Sequence, residues 1–145
     1  MRWFLWLCCL LLTSLNVHCA AERRVALLIG NAKYSSGPLS NPPNDVRQME
    51  VALKKVGFSV QTVIDANQNQ MRRALRDFGD QAQGADVALM YYSGHGTQAG
   101  GENYLIPIHA SIGKESDYEI EAVGANGLMR QLTGARPKAA IVVLD

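Results

Sequence analysis

The sequence predicts one α/β domain: a mostly parallel sheet with helices on both faces. Three observations carry this. From Glu22 onward, short apolar runs alternate with amphipathic stretches in the order strand, helix, strand, helix, strand, helix, strand. Three of the four runs are nearly continuous in Val, Ile, Leu, Ala and Tyr, as strands covered on both faces require. The chain is 145 residues long and 48% apolar, enough to bury one sizeable core but hardly two.

Residues 1–21 stand apart from that pattern. Arg2 gives a positive start, residues 3–12 are an unbroken apolar run, and Cys19-Ala20-Ala21 offers small residues for cleavage, the organisation of a secretory signal peptide. An uncleaved membrane anchor is the alternative. A spanning helix needs about 20 apolar residues, and this run stops near Thr13-Ser14. Asn16-Val17-His18 before Cys19 matches a lipoprotein cleavage box poorly. The expected mature protein, residues 22–145, is therefore exported, periplasmic or secreted. Its only membrane link would be an uncleaved leader. Cys8, Cys9 and Cys19 all lie in or beside the leader, so the mature domain carries no thiol, no disulfide framework and no thiolate nucleophile.

The first strand is expected over residues 24–29. In the first helix, Asp45 and Gln48 can form a capping box, and Val46, Met49, Leu53 and Val56 fall on one face. Lys54 and Lys55 then occupy the last turn, with Gly57 as the stop. The second strand covers residues 59–64. A second helix starts near Asn67, with Gln70 three residues on; it turns Met71, Leu75, Phe78 and Ala82 inward and ends by Gly84. The third strand runs over residues 85–92. A third helix over residues 123–132 is weakened by Gly124 and Gly127, and the fourth strand covers residues 139–144.

Parallel strands joined by right-handed crossovers collect function at their carboxyl ends. Three segments leave strands there: Gly30-Asn31-Ala32-Lys33-Tyr34, Ser93-Gly94-His95-Gly96-Thr97, and whatever follows Asp145. The second is the most informative. In Tyr91-Tyr92-Ser93-Gly94-His95-Gly96 an apolar strand runs directly into a histidine bounded by glycines, a fit position for a general base. Taken alone, His95 could equally be a hydrogen-bonded turn residue, and Gly94 and Gly96 ordinary turn glycines. His109 has no such company and reads as a surface residue.

Five motifs in order carry a family resemblance. Ile29-Gly30-Asn31 with Tyr34, Leu39-Ser40-Asn41-Pro42-Pro43-Asn44-Asp45-Val46, Tyr92-Ser93-Gly94-His95-Gly96, Tyr104-Leu105-Ile106-Pro107 and Ile141-Val142-Val143-Leu144-Asp145 resemble the large-subunit domain of the caspase and metacaspase cysteine peptidases. The resemblance spans essentially everything after the leader. It implies a caspase-like (flavodoxin-like) three-layer α/β fold whose C-terminal part is missing, and a cysteine endopeptidase with His95 as catalytic histidine. In caspases the histidine stands about 50 residues before the cysteine. Counted from His95, the nucleophile falls just past Asp145, two positions on in the family pattern. The 145 residues alone are therefore expected to be inactive. The Gly96 N–H, with that of the cysteine, is expected to hold the oxyanion.

Resemblance to the metacaspase branch also points to Asp45, Ser93 and Asp145 as substrate-binding residues. Two carboxylates facing one pocket would favour Arg or Lys at the cleaved position and repel Asp. The alternatives are that Asp45 only caps the first helix and that Asp145 only ends a strand.

Two rival readings come from other classes. Gly94-His95-Gly96-Thr97-Gln98-Ala99 after a strand formally fits a dinucleotide-binding turn, but Gly100-Gly101-Glu102-Asn103 is expected to continue as a loop rather than open a helix; nor is there a Gly-Lys-Ser or Gly-Lys-Thr of a P-loop. A non-catalytic caspase-like domain that binds a peptide or partner in the same crevice is the other. The net charge of +1 with scattered Lys and Arg gives no stripe suited to nucleic acid. His95, His109 and scattered carboxylates lack metal-ligand spacing, so neither metal nor cofactor is expected. The expected partner is a peptide or protein substrate. Ending at Asp145 should also leave the last strand as an exposed, aggregation-prone sheet edge.

Overall fold

A computed structural model describes residues 21–145; the leader assigned to residues 1–21 lies, but for its last residue, outside the described residues. In chain order the elements are β1 (Arg24–Gly30), α1 (Pro42–Lys55), β2 (Phe58–Ile64), α2 (Gln68–Ala82), β3 (Val87–Ser93), β4 (Gly96–Ala99), β5 (Glu102–Leu105), α3 (Asp117–Glu121), β6 (Val123–Gly124), α4 (Ala125–Ala135) and β7 (Ala139–Leu144). Strands β2-β1-β3-β7 form a four-stranded sheet in that order, every pairing parallel. All four strands match the apolar runs of the sequence to within two residues at each end.

Successive side chains of a strand point to opposite faces, and the two faces here carry two cores. Ala26, Leu28, Leu89 and Tyr91 turn toward α1 and pack with Val46 and Leu53. Val25, Leu27, Ile29, Met90 and Tyr92 turn the other way, onto Met71, Leu75 and Phe78 of α2 and Leu128 and Leu132 of α4. The result is three layers, helix on sheet on helix. Among the described residues, no helix is long and apolar enough to cross a membrane.

Helix α2 follows the sequence closely. Asn67 Oδ1 accepts the Gln70 N–H at 3.0 Å and Gln70 Oε1 accepts the Asn67 N–H at 2.9 Å, a complete capping box. Helix α1 does not. It starts at Pro42, three residues before the expected box, so Asp45 and Gln48 lie inside it and Asp45 sits in its first turn without capping. The two prolines explain this: the first helical positions need no N–H donor, and proline presets the helical φ. Asn41 precedes them and makes no side-chain cap bond. Val56, expected on the buried face, is the C-cap residue and 53% exposed.

The helix expected from residue 123 begins at Ala125, because Val123 and Gly124 pair with β5 as β6 and Gly124 becomes its N-cap. The segment expected to stay a loop, residues 100–103, is instead the tip of a β4–β5 hairpin. Gly100 and Gly101 form its two-residue turn with φ of +56° and +81°, the left-handed pair that matches strand twist. No helix opens behind His95, so the turn offers no dinucleotide-binding N-terminus.

Register places the functional rim. Gly30 pairs with Ile64 on one side and Ser93 on the other, and Leu144 pairs with Tyr92. Asn31, Ser93 to His95 and Asp145 therefore leave the sheet at one height.

Candidate active site

Asn31 follows the last residue of β1 and is fully buried. Its Oδ1 accepts the Ala66 N–H at 2.8 Å, and its Nδ2 donates to the carbonyls of Ala66 at 3.3 Å and Ile106 at 3.2 Å. One side chain thus ties the end of β1 to the start of α2 and to the segment after β5. Beside it, Asp65 accepts the N–H groups of Ala32 at 2.9 Å and Lys33 at 3.0 Å, with Lys33 Nζ at 3.2 Å. Burial pushes the Asp65 carboxyl up, but those donors outweigh it and hold its pKa below the ordinary value. These bonds anchor the stretch that leads to Tyr34 and Gly37.

His95 sits at the carboxyl end of β3 and is partly exposed. Its Nε2 lies 2.6 Å from the carbonyl oxygen of Gly37. A carbonyl only accepts, so Nε2 carries the proton of this contact, and in the neutral ring Nδ1 keeps its lone pair, the state a general base needs. The imidazole also packs on the Tyr34 ring, with centroids 4.3 Å apart and planes at 41°. Gly37 has φ of +68°, and a Cβ there would stand 3.3 Å from His95 Nε2. The left-handed φ favours glycine there, and a Cβ would have to push the imidazole back by a few tenths of an ångström.

Gly96 opens β4 opposite Leu105. The neighbouring bond, Ile106 N–H to the His95 carbonyl at 2.9 Å, makes Gly96 and Leu105 a non-hydrogen-bonded pair. The Gly96 N–H consequently points away from β5 and is not used in the hairpin ladder.

Asp145 is held from both sides. Its N–H donates to the Tyr92 carbonyl at 2.9 Å, its carbonyl accepts the Gly94 N–H at 3.2 Å, and its Oδ2 accepts the Tyr91 hydroxyl at 3.0 Å. Burial, reinforced by the Asp145 carboxylate, pushes the Tyr91 hydroxyl above its ordinary pKa. An open cavity of about 330 Å³ is lined by Ser40, Asp45, Ser93, His95 and Asp145. A second, of about 310 Å³, lies across Gly94 and is lined by Gly96, Thr97, Tyr104, Leu144 and Asp145. Of the residues singled out from sequence, His95, Asp45, Ser93 and Asp145 thus share one cavity, and Gly96 faces its neighbour. His109 is exposed, as expected, with φ of +66°. Among the described residues, no three His, Cys, Asp or Glu side chains cluster as a metal site would require.

A family model described as a caspase domain matches residues 23–145. The chain belongs to the caspase-domain family. Human mucosa-associated lymphoid tissue lymphoma translocation protein 1 is 34% identical over 91 residues, covering 62% of this chain and 11% of that protein. Metacaspase-6 of Arabidopsis thaliana is 36% identical over 85 residues, covering 50% of this chain and 23% of the relative. The chain therefore spans less than a quarter of the length of either. The Drosophila initiator caspase Dronc shares the fold at a TM-score of 0.61 and 12% identity, over 85% of this chain and 47% of Dronc.

Gly37 and Ile106 act through backbone carbonyls, and no side-chain pattern reveals those. Asp65 carried a signal of a kind, an acidic residue directly after a strand. Its role depends on the left-handed φ of +52° that turns its carboxylate back onto Ala32 and Lys33.

Proposed function

We propose that this protein is a cysteine endopeptidase of the metacaspase type that cleaves after Arg or Lys. The observation that carries the reading is the cavity in which His95 stands beside two carboxylates, Asp45 and Asp145. Residues 21–145 contain no cysteine. The nucleophile in this reading is the cysteine that the family pattern puts two positions past Asp145.

The chemistry follows from the free lone pair on His95 Nδ1. A thiol near pKa 8.5 and an imidazole near 6.5 are matched closely enough to pass a proton at neutral pH. His95 takes the thiol proton as the sulfur attacks the scissile carbonyl carbon, the carbonyl oxygen becomes an oxyanion, and the Gly96 N–H stabilises it. His95 then returns the proton to the leaving amine. Water hydrolyses the acyl-enzyme by the same route. Asp45 and Asp145 select the residue before the cut, since a guanidinium or ammonium neutralises them and a third carboxylate would be repelled. Ser93, 4% exposed at the cavity wall, supplies a hydroxyl to the same side chain. The apolar leader, in this reading, exports the enzyme.

Peptides ending in Arg, Lys or Asp before a fluorogenic amide test the proposal on the protein as its gene encodes it. Arg- and Lys-ending peptides are expected to be cut, Asp-ending ones to be refused, and His95→Ala to abolish turnover. Preference for Asp-ending peptides would overturn it. A second reading, a domain that binds basic peptides in the same cavity without cutting them, rests on the paired carboxylates Asp45 and Asp145 alone. A polypeptide of residues 22–145 is expected to bind without cleaving. Amino-terminal sequencing of protein from its source tests export, with a start near residue 22 expected.

A further inference from the structure

Residues 95 and 106 stand one step past the β4–β5 ladder, where an antiparallel pair exchanges two backbone bonds. Only one of the two forms, Ile106 N–H to the His95 carbonyl at 2.9 Å. In place of the other, the His95 N–H donates to Tyr34 Oη at 2.9 Å, and Tyr34 Oη lies 3.0 Å from the Ile106 carbonyl oxygen. Tyr92 Oη stands 2.7 Å from the His95 carbonyl oxygen, 3.0 Å from that of Ile106 and 3.2 Å from Tyr34 Oη. Each hydroxyl has one proton. If Tyr34 donates to Ile106 and Tyr92 to His95, the carbonyl of His95 receives Tyr92 and Ile106 N–H, and the carbonyl of Ile106 receives Tyr34 and Asn31. Every donor and both lone pairs of each carbonyl are then used.

We infer that Tyr34 and Tyr92 are positioning residues whose hydroxyls form a wedge between His95 and Ile106, holding the His95 backbone off β5 and so aiming its imidazole and the Gly96 N–H. Tyr34 and Tyr92 are 8% and 1% exposed, so the wedge sits in a packed interior where a displaced hydroxyl finds no water. Tyr34 acts twice, since its ring also supports the imidazole that its hydroxyl helps to place. Gly94 belongs to the device: a Cβ there would stand 2.7 Å from both hydroxyls, so only glycine admits the wedge. Without the Tyr34 hydroxyl, either the ladder closes one step further and draws His95 off the Gly37 carbonyl, or a buried N–H is left unpaired.

The catalytic consequence rests on the peptidase reading; the geometric one does not. The test is on the full protein as its gene encodes it, with ¹⁵N-labelled histidine, comparing Tyr34→Phe, Tyr92→Phe and Gly94→Ala with Leu53→Ala, which loosens the core on the opposite face of the sheet. Tyr34→Phe is expected to shift the His95 ring nitrogen signals away from the Nε2–H tautomer. It should also lower kcat on an Arg-ending peptide on the order of 10²-fold, with KM within about twofold, as for a misplaced catalytic group. Gly94→Ala is expected to act in the same direction, and Tyr92→Phe more weakly because Ile106 N–H still holds the His95 carbonyl. Leu53→Ala should leave His95 signals and kcat unchanged. If Tyr34→Phe does not fold, Gly94→Ala and Tyr92→Phe carry the same signature. Unaltered His95 signals in the folded wedge variants would overturn the inference. If even the wild-type protein cleaves nothing, the peptidase reading fails, and the His95 tautomer still decides the wedge.

Discussion

Asp45 and Asp145 reach one cavity by different routes, one from the first turn of α1 and one from the end of β7. In the proposed reading their charges, rather than their shapes, select the substrate. Asp45→Asn or Asp145→Asn is expected to lower kcat/KM for Arg-ending peptides about 10- to 100-fold, the scale of one lost charge-assisted hydrogen bond, while leaving the melting temperature nearly unchanged for Asp45. Equal loss on an uncharged substrate would show that the residue serves the fold instead. Tyrosine titration gives a second test. Burial pushes the hydroxyls of Tyr34 and Tyr92 above their ordinary pKa. A raised pKa in the folded state means that the native protein binds those protons more tightly than the unfolded chain. Stability is then complete below about pH 10, the unfolded value, and falls as pH rises beyond it. Urea denaturation between pH 8 and 11 is expected to show that decline, and to show less of it in Tyr92→Phe. Motif and type single out His95, Gly96, Asp45, Ser93 and Asp145, and these residues line two adjoining cavities. Gly37 and Ile106 are not singled out, because their contribution is a carbonyl every residue possesses.

Helices α1 and α2 differ in how they begin, and the difference is measurable. Asn67 makes a reciprocal capping box and Asn41 makes no side-chain cap bond. Asn67→Ala is therefore expected to cost about 1 kcal/mol, whereas Asn41→Ala should stay within about 0.5 kcal/mol. Urea midpoints check both, and equal losses would contradict the assignment. The capping pattern Asn67 to Gln70 was readable because nothing competed with it. At α1 the same pattern, Asp45 to Gln48, was outweighed by Pro42 and Pro43 upstream, which start the helix earlier. The β4–β5 hairpin escaped for another reason. Its strands are four residues each, too short to show a period, and Gly100-Gly101 reads as flexible loop unless both flanks are recognised as strands.

Across the whole molecule, the two faces of one sheet support two unequal cores. Phe78 is fully buried in the larger, against α2, α4 and the sheet. Phe78→Ala is expected to cost about 3–5 kcal/mol, enough to unfold a domain of marginal stability; a thermal melt within a few degrees of wild type would count against this packing. Strand β7 is an edge of the sheet, with Ile141, Val143 and Leu144 exposed on it. Unpaired strand edges of this composition recruit other chains. A polypeptide of residues 22–145 is expected to associate at micromolar concentration, and a monodisperse scattering profile would refute that.

Strand positions, layer order and the inward faces of the helices follow from the sequence itself, because apolar periodicity is a local consequence of which side of an element meets the core. The identity of the residues at the rim follows too, since strand ends and glycine-bounded turns are local signals. Tertiary structure alone decided how those residues meet. The register Gly30 to Ser93 and Tyr92 to Leu144 sets Asp145 beside His95, and the Gly37 carbonyl selects the tautomer of a histidine 58 residues away. Such contacts join backbone groups and buried hydroxyls from distant segments, and their geometry exists only once the sheet has assembled.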